Sequence, residues 1–144
     1  MRIIADTNVL ARILVRELPP EDERQAALAI ETIETADEVV VPTHVFCELV
    51  WVLSTAYKLS RKELIACIKS VLSLENLVCR EDEVEAGMSF LEKGGDFADG
   101  VNAYTGRLLS TSRKAVFVSF DKKAIRLVTD MGANAMLLEV KNND

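Results

Sequence analysis

An α/β fold, with a five-stranded parallel sheet covered by helices on both faces, is what the sequence predicts. Three observations lead to it. Five short apolar runs, at 2–5, 39–41, 77–79, 115–119 and 135–138, are separated by segments of helical periodicity. Strand and helix alternate, which is the order that yields parallel strands joined by crossover helices. Those crossovers are right-handed, so the strands take a doubly wound arrangement. The 144 residues suit one domain, 1–144, with a core of its own.

Arg2-Ile3-Ile4-Ala5 reads as the first strand, and Asp6-Thr7-Asn8 interrupts it. Val9, Leu10, Ile13 and Leu14 then recur at helical spacing. Pro19-Pro20 stops that helix and suits the first turn of the next, over 21–35, whose core face is Ala26, Ala27, Ile30 and Ile33. Val39-Val40-Val41 is a buried strand closed by Pro42, and 43–57 is a helix apolar nearly all round. Ser60 and Glu63 form a capping box at the head of a helix over 60–73, with Leu64, Ile65, Ile68, Val71 and Leu72 inward. Leu77-Val78-Cys79 is a strand, 81–93 an acidic helix ended by Gly94-Gly95, and 97–110 a helix behind Asp96. Ala115–Ser119 is a strand, Asp121–Met131 a helix punctuated by Gly132, and Ala135–Leu138 the last strand.

Composition narrows the function classes. With 17 bases against 23 acids the net charge is −6, which disfavours nonspecific nucleic-acid binding by the whole surface. The charges are segregated. Residues 17–38 carry eight acids and one base, Arg24, whereas 104–128 carry six bases (Arg107, Arg113, Lys114, Lys122, Lys123, Arg126) and one acid, Asp121. Solvated helix faces account for such runs; a local basic surface around a functional Asp121 is the sharper reading. Cys47, Cys67 and Cys79 are scattered without a CxxC pair, against a disulfide framework or a structural zinc site. No basic-then-apolar leader is seen at Met1, and a reduced, cytoplasmic location is expected. Residues 39–57 hold one formal charge in 19 residues, yet Pro42, His44 and Glu48 make a buried strand and helix a better reading than a membrane span.

Four acids stand out. Asp6 follows the first strand and Asp121 the fourth, where ligands of open parallel sheets bind. A helix N-cap is the plainer role for each. Glu48 is the only charge between Glu38 and Lys58, in a helix that its composition marks as buried. A buried ion pair, a protonated carboxyl, a metal ligand or a base would account for it. Asp96 suits an N-cap with Asp99 at the third helical position, and Asp99 shares a polar face with Asn102 and Gly106. His44 is the only histidine; four residues before Glu48, it is half a zinc site at most, and a packed or first-turn histidine otherwise. Trp51, Tyr57 and Tyr104 fall at core spacings. An acid set without a required histidine favours Mg²⁺ or Mn²⁺ over zinc. Clustered carboxylates repel unless a divalent ion neutralises them, and such sites suit phosphodiester hydrolysis.

Asp6-Thr7-Asn8 after the first strand, Glu48 in an apolar helix, Asp99 in an Asp-x-x-Asp helix start and Ser-Phe-Asp121-Lys-Lys after the fourth strand resemble the PIN domain, most closely the VapC toxins of type II toxin–antitoxin systems. The resemblance covers nearly the whole chain. It implies a three-layer α/β/α fold with strand order 3-2-1-4-5 and an Mg²⁺- or Mn²⁺-dependent endoribonuclease. The family's four acids would be Asp6, Glu48, Asp99 and Asp121, with Asp96 an extra acid or the true third one. Asp6, Asp99 and Asp121 would hold metal, and Glu48 a metal-bound water or the base role. Asn8 and Ser119 are supporting candidates, Ser119 keeping the hydroxyl where the family often has threonine. Lys122, Lys123 and Arg126 are candidates for RNA phosphate contacts. A cognate antitoxin and a homodimer are further implications, and no membrane. Two other readings compete. One is a degenerate PIN or receiver-like module that binds without cleaving. The other is a haloacid-dehalogenase-like phosphatase, which would need an acid where Asn8 stands.

Overall fold

The computed structural model describes residues 1–16, 18–110 and 115–141. Glu17 of the acidic run, and Arg113 and Lys114 of the basic run, lie outside the described residues. The chain divides into two compact units, Met1–Val84 and Glu85–Asp144. Among the described residues no helix is long and apolar enough to cross a membrane.

In the first unit, β1 (Arg2–Ile4), β2 (Glu38–Val40) and β3 (Leu77–Val78) form a parallel sheet in the order β1-β2-β3. Ile3 pairs with Val39, and Val39 with Leu77, so β2 is central. The ladder runs past the strand ends, through Ala5 N–H to the Val40 carbonyl at 2.9 Å and Val41 N–H to the Val78 carbonyl at 3.0 Å. Four helices connect these strands: α1 (Thr7–Leu14), α2 (Pro20–Thr35), α3 (Thr43–Thr55) and α4 (Arg61–Leu72). Their starts follow local chemistry. Proline precedes or opens α2 and α3, and the Ser60–Glu63 capping box opens α4 with both reciprocal bonds present. Leu10, Val39, Val41, Phe46, Leu49, Leu53 and Ile68 are fully buried and make the core. The Asn76 amide donates to the Ile33 and Ala36 carbonyls, each at 2.9 Å, and so satisfies the C-terminal end of α2 beside β3.

Two sequence expectations change here. Only Ile33 of the predicted α2 core face is buried, while Ala27 is exposed and Ile30 is 43% exposed. The helix α3 is not buried all round. Val45, Phe46, Leu49, Val50 and Leu53 face inward, but His44, Glu48, Trp51 and Thr55 form an exposed stripe. Apolar composition showed that α3 packs and could not show on which side.

α5 (Glu81–Glu92) begins in the first unit and continues into the second, which also holds α6 (Phe97–Leu109), β4 (Phe117–Ser119), α7 (Lys122–Asp130) and β5 (Ala135–Leu137). β4 and β5 are parallel, with Val118 opposite Met136. Phe90, Leu127 and Val128 form a buried cluster, with Phe117 and Ala135 packed on it. A hydrogen-bond pair ends α5: Gly95 N–H to the Phe90 carbonyl (2.7 Å) and Gly94 N–H to the Leu91 carbonyl (3.2 Å), with Gly94 at φ 86°. This left-handed turn suits glycine and aims the chain into α6. The two helices then approach closely, since a methyl group on Gly100 would stand 2.5 Å from the Ala86 carbonyl oxygen.

Candidate active site

Asp6 and Asp121 each sit where a parallel strand ends and a helix begins. Asp6 Oδ1 accepts from the adjacent Thr7 N–H at 2.7 Å and makes no bond to the second or third helical N–H. Asp121 is a fuller N-cap: its Oδ1 accepts from Lys123 N–H at 2.9 Å and Ala124 N–H at 3.4 Å. Each cap uses one carboxylate oxygen, Oδ1, on an exposed residue. The Asp121 N–H in turn donates to Ser119 Oγ at 3.0 Å, so the hydroxyl fixes the turn that carries the acid.

Glu48 is exposed, which corrects the expectation of a buried carboxylate. It lies on the outward stripe of α3 and needs no compensating ion pair. Its polar contact among the described residues is informative: Thr7 Oγ1 donates to Glu48 Oε2 at 2.8 Å. Thr7 is 7% exposed, the only polar residue among the described buried ones. It connects the chain leaving β1 to the helix that follows β2, and so ties Glu48 to the residue next to Asp6. Asn8, the supporting candidate from sequence, is exposed at the second position of α1, and it is the adjacent Thr7 that bonds Glu48. The signal was present in Asp6-Thr7-Asn8: a hydroxyl at the start of a helix facing the strand end.

In the second unit Asp96 occupies the N-cap position of α6 but makes no side-chain cap bond, contrary to expectation. Asp99, half-buried in the first turn, is different. Burial pushes its carboxyl above the usual carboxylate range, and the charges of Asp96 and Asp121 push it the same way. Three acids of this unit therefore share one electrostatic neighbourhood. Lys122 and Arg126 are exposed, as phosphate-contacting bases need to be. Lys123 has a second role, because its Nζ lies against the Gly94 turn, 2.6 Å from where a methyl group on Gly94 would stand.

The donor set is all hard oxygen, and the mutual repulsion at Asp99 is the kind a divalent cation relieves, so its chemistry fits Mg²⁺ or Mn²⁺. Among the described residues no group of three or more His, Cys, Asp or Glu side chains is already positioned to hold a metal ion. His44 is exposed in the first turn of α3. Burial raises the Cys67 and Cys79 thiols above their ordinary range, with Glu63 and Glu81 respectively adding to it, so neither suits a nucleophile at neutral pH.

Each unit thus has a parallel strand that feeds a helix, with an acid at the junction, Asp6 in the first and Asp121 in the second. A family model of the PIN domain matches residues 3–128, and the chain belongs to the PIN domain family. PIN domains are generally nucleases, which sets hydrolysis of nucleic acid as the activity class of this fold. The haloacid-dehalogenase-like alternative falls with that match. None of the curated proteins compared with the chain matches it.

Proposed function

We propose that the chain is a single PIN domain over 1–144 that cleaves RNA internally with Mg²⁺ or Mn²⁺, as the toxin of a toxin–antitoxin pair. The observation that carries this is the placement of the acids. In chain order they fall at the end of β1 (Asp6), on the outward stripe of α3 (Glu48), in the first turn of α6 (Asp99) and at the end of β4 (Asp121). Asp6, Asp99 and Asp121 would hold the ion, with Asp96 in reserve, and the sheet order 3-2-1-4-5 is the arrangement the family implies. When bound there, the ion would supply charge neutralisation and water activation. Glu48, oriented by Thr7, takes the proton from the attacking water. Ser119 holds the turn of Asp121, and Lys122 and Arg126 receive phosphates of the strand. A cognate antitoxin, a homodimer and a cytoplasmic setting belong to the same reading and are supported by the family resemblance.

Purified, partner-free chain should cleave single-stranded RNA with Mg²⁺ or Mn²⁺ and stop in EDTA. Asp6→Asn should lower the rate by at least ~100-fold, the loss of several kcal/mol of charge stabilisation. Equal cleavage in EDTA, or full activity of Asp6→Asn, overturns the assignment. Metal and RNA binding without cleavage would instead identify a non-cleaving module. Expression in cells should arrest growth, and a co-expressed antitoxin should restore it; unaffected growth with an RNase active in vitro overturns the toxin role.

A further inference from the structure

The only tryptophan of the chain, Trp51, is 67% exposed in the middle of α3, where sequence spacing had placed it in the core. Its position is specific. Glu48 lies one helical turn before it on the same stripe, at i and i+3, which are neighbours on a helix surface. The helix is firmly set beneath them, since Phe46, Leu49 and Leu53 on the opposite side are fully buried. The other exposed residues of α3 are polar, His44, Glu48, Ser54 and Thr55, and the Thr55 hydroxyl donates to the Trp51 carbonyl at 2.8 Å. Along α3 the indole is therefore the one exposed aromatic face, set among polar side chains. Cations follow directly in the chain. Lys58, Arg61 and Lys62 are all exposed between the end of α3 and the first turn of α4.

We infer that Trp51 is a stacking platform for a base of single-stranded RNA, holding the nucleotide next to the one whose phosphodiester bond lies at Glu48. This rests on the nuclease reading and deepens it by naming a substrate-binding residue. Every base offers a π-face, so an indole at a fixed distance from the acid fixes the strand's position while remaining tolerant of sequence. The cations beyond α3 suit the phosphates that leave such a stack. An exposed, conformationally stiff aromatic on a rigid helix gives that contact with little ordering cost.

The sole tryptophan also reports on its own contact. Asp121→Asn protein in Mg²⁺, titrated with an octameric oligouridylate or oligoadenylate, should lose indole emission, more steeply with the purine strand because it stacks more strongly. In the active chain Trp51→Ala should raise KM by ~10-fold to 100-fold, the range for loss of one stacked base, and leave kcat within about twofold. Trp51→Phe should recover most of the affinity, and neither variant should lower the melting temperature. Cleavage by the parent with no emission change and an unaltered KM in Trp51→Ala overturns the stacking role while leaving the nuclease. An emission change without cleavage by the active chain keeps the stacking role and overturns the nuclease. If Trp51→Ala instead converts a dimer to a monomer with RNA affinity unchanged, the face belongs to a second copy and the inference fails.

Discussion

A single hydroxyl does much to define the acid site, because the Thr7–Glu48 bond is what fixes an otherwise exposed carboxylate. Thr7→Val keeps the shape and removes the donor. It should lower cleavage by ~10-fold to 100-fold, the usual effect of losing a partner that orients a reactive group, and Thr7→Ser should restore most of it. The caps separate the acids differently. Asp121→Ala loses two hydrogen bonds and should cost about 1 kcal/mol, whereas Asp121→Asn retains an acceptor and should melt close to the parent. Asp96→Ala has no cap bond to lose and should shift stability by less than ~0.5 kcal/mol, which a denaturant titration resolves. Asp99 gives the pH dependence. Its folded carboxyl binds a proton more tightly than the unfolded one, so its favourable contribution is complete below about pH 4. That contribution is lost as pH rises through the raised folded value. Asp99→Asn should therefore match the parent near pH 3 and melt ~1–2 °C above it at pH 7 without metal, a small gain because solvent screens a half-exposed group. A lower melting temperature for Asp99→Asn at pH 7 would remove the repulsion argument.

At the scale of elements, the turn from α5 into α6 sets where Asp96 and Asp99 stand. Gly100→Ala drives a methyl group into a backbone carbonyl and should cost ~1–3 kcal/mol by overpacking, visible as a lower melting temperature. Much of this level was legible in the sequence. Ser60 with Glu63, the prolines before α2 and α3, and the glycines after α5 and α7 carry their chemistry within a few residues, so helix starts and stops could be read. Which face a helix buries could not be read so well. In α3 eight of the thirteen residues are apolar and they spread round the helix, so only packing against α1 and α4 decides that Leu49 goes in and Trp51 goes out. Ala27 and Ile30 of α2, expected inward, are exposed for the same reason. The positions of Asp6 and Asp121 at strand ends were legible because strand ends are local features; the Thr7–Glu48 bond was not, because its partners stand 41 positions apart.

For the whole molecule, the net charge of −6 opposes an RNA polyanion, so binding depends on local cations and not on the surface as a whole. With Lys122, Arg126 and one or two further bases engaged, the slope of log K against log salt should be about −2 to −3, at ~0.7 per phosphate contact on a single strand. A slope near −6 would mean a far more extensive basic surface than the described residues offer. Mn²⁺ should raise the melting temperature of the parent by mass action and leave Asp6→Asn nearly unmoved, a readout that does not depend on cleavage.

The Thr7–Glu48 bond also acts as a gauge of strand alignment. Thr7 follows β1 and Glu48 belongs to the helix after β2, and the two strands pair with Ile3 opposite Val39. A slip of one residue moves one strand ~3.3 Å along the other, past the reach of a hydrogen bond, and turns every side chain to the opposite face. A chain that folds with β1 misaligned would keep its secondary structure and lose the orientation of Glu48. Recovery of cleavage during refolding therefore times the moment when the first two strands find their register, and should lag behind the return of helical signal in the same sample.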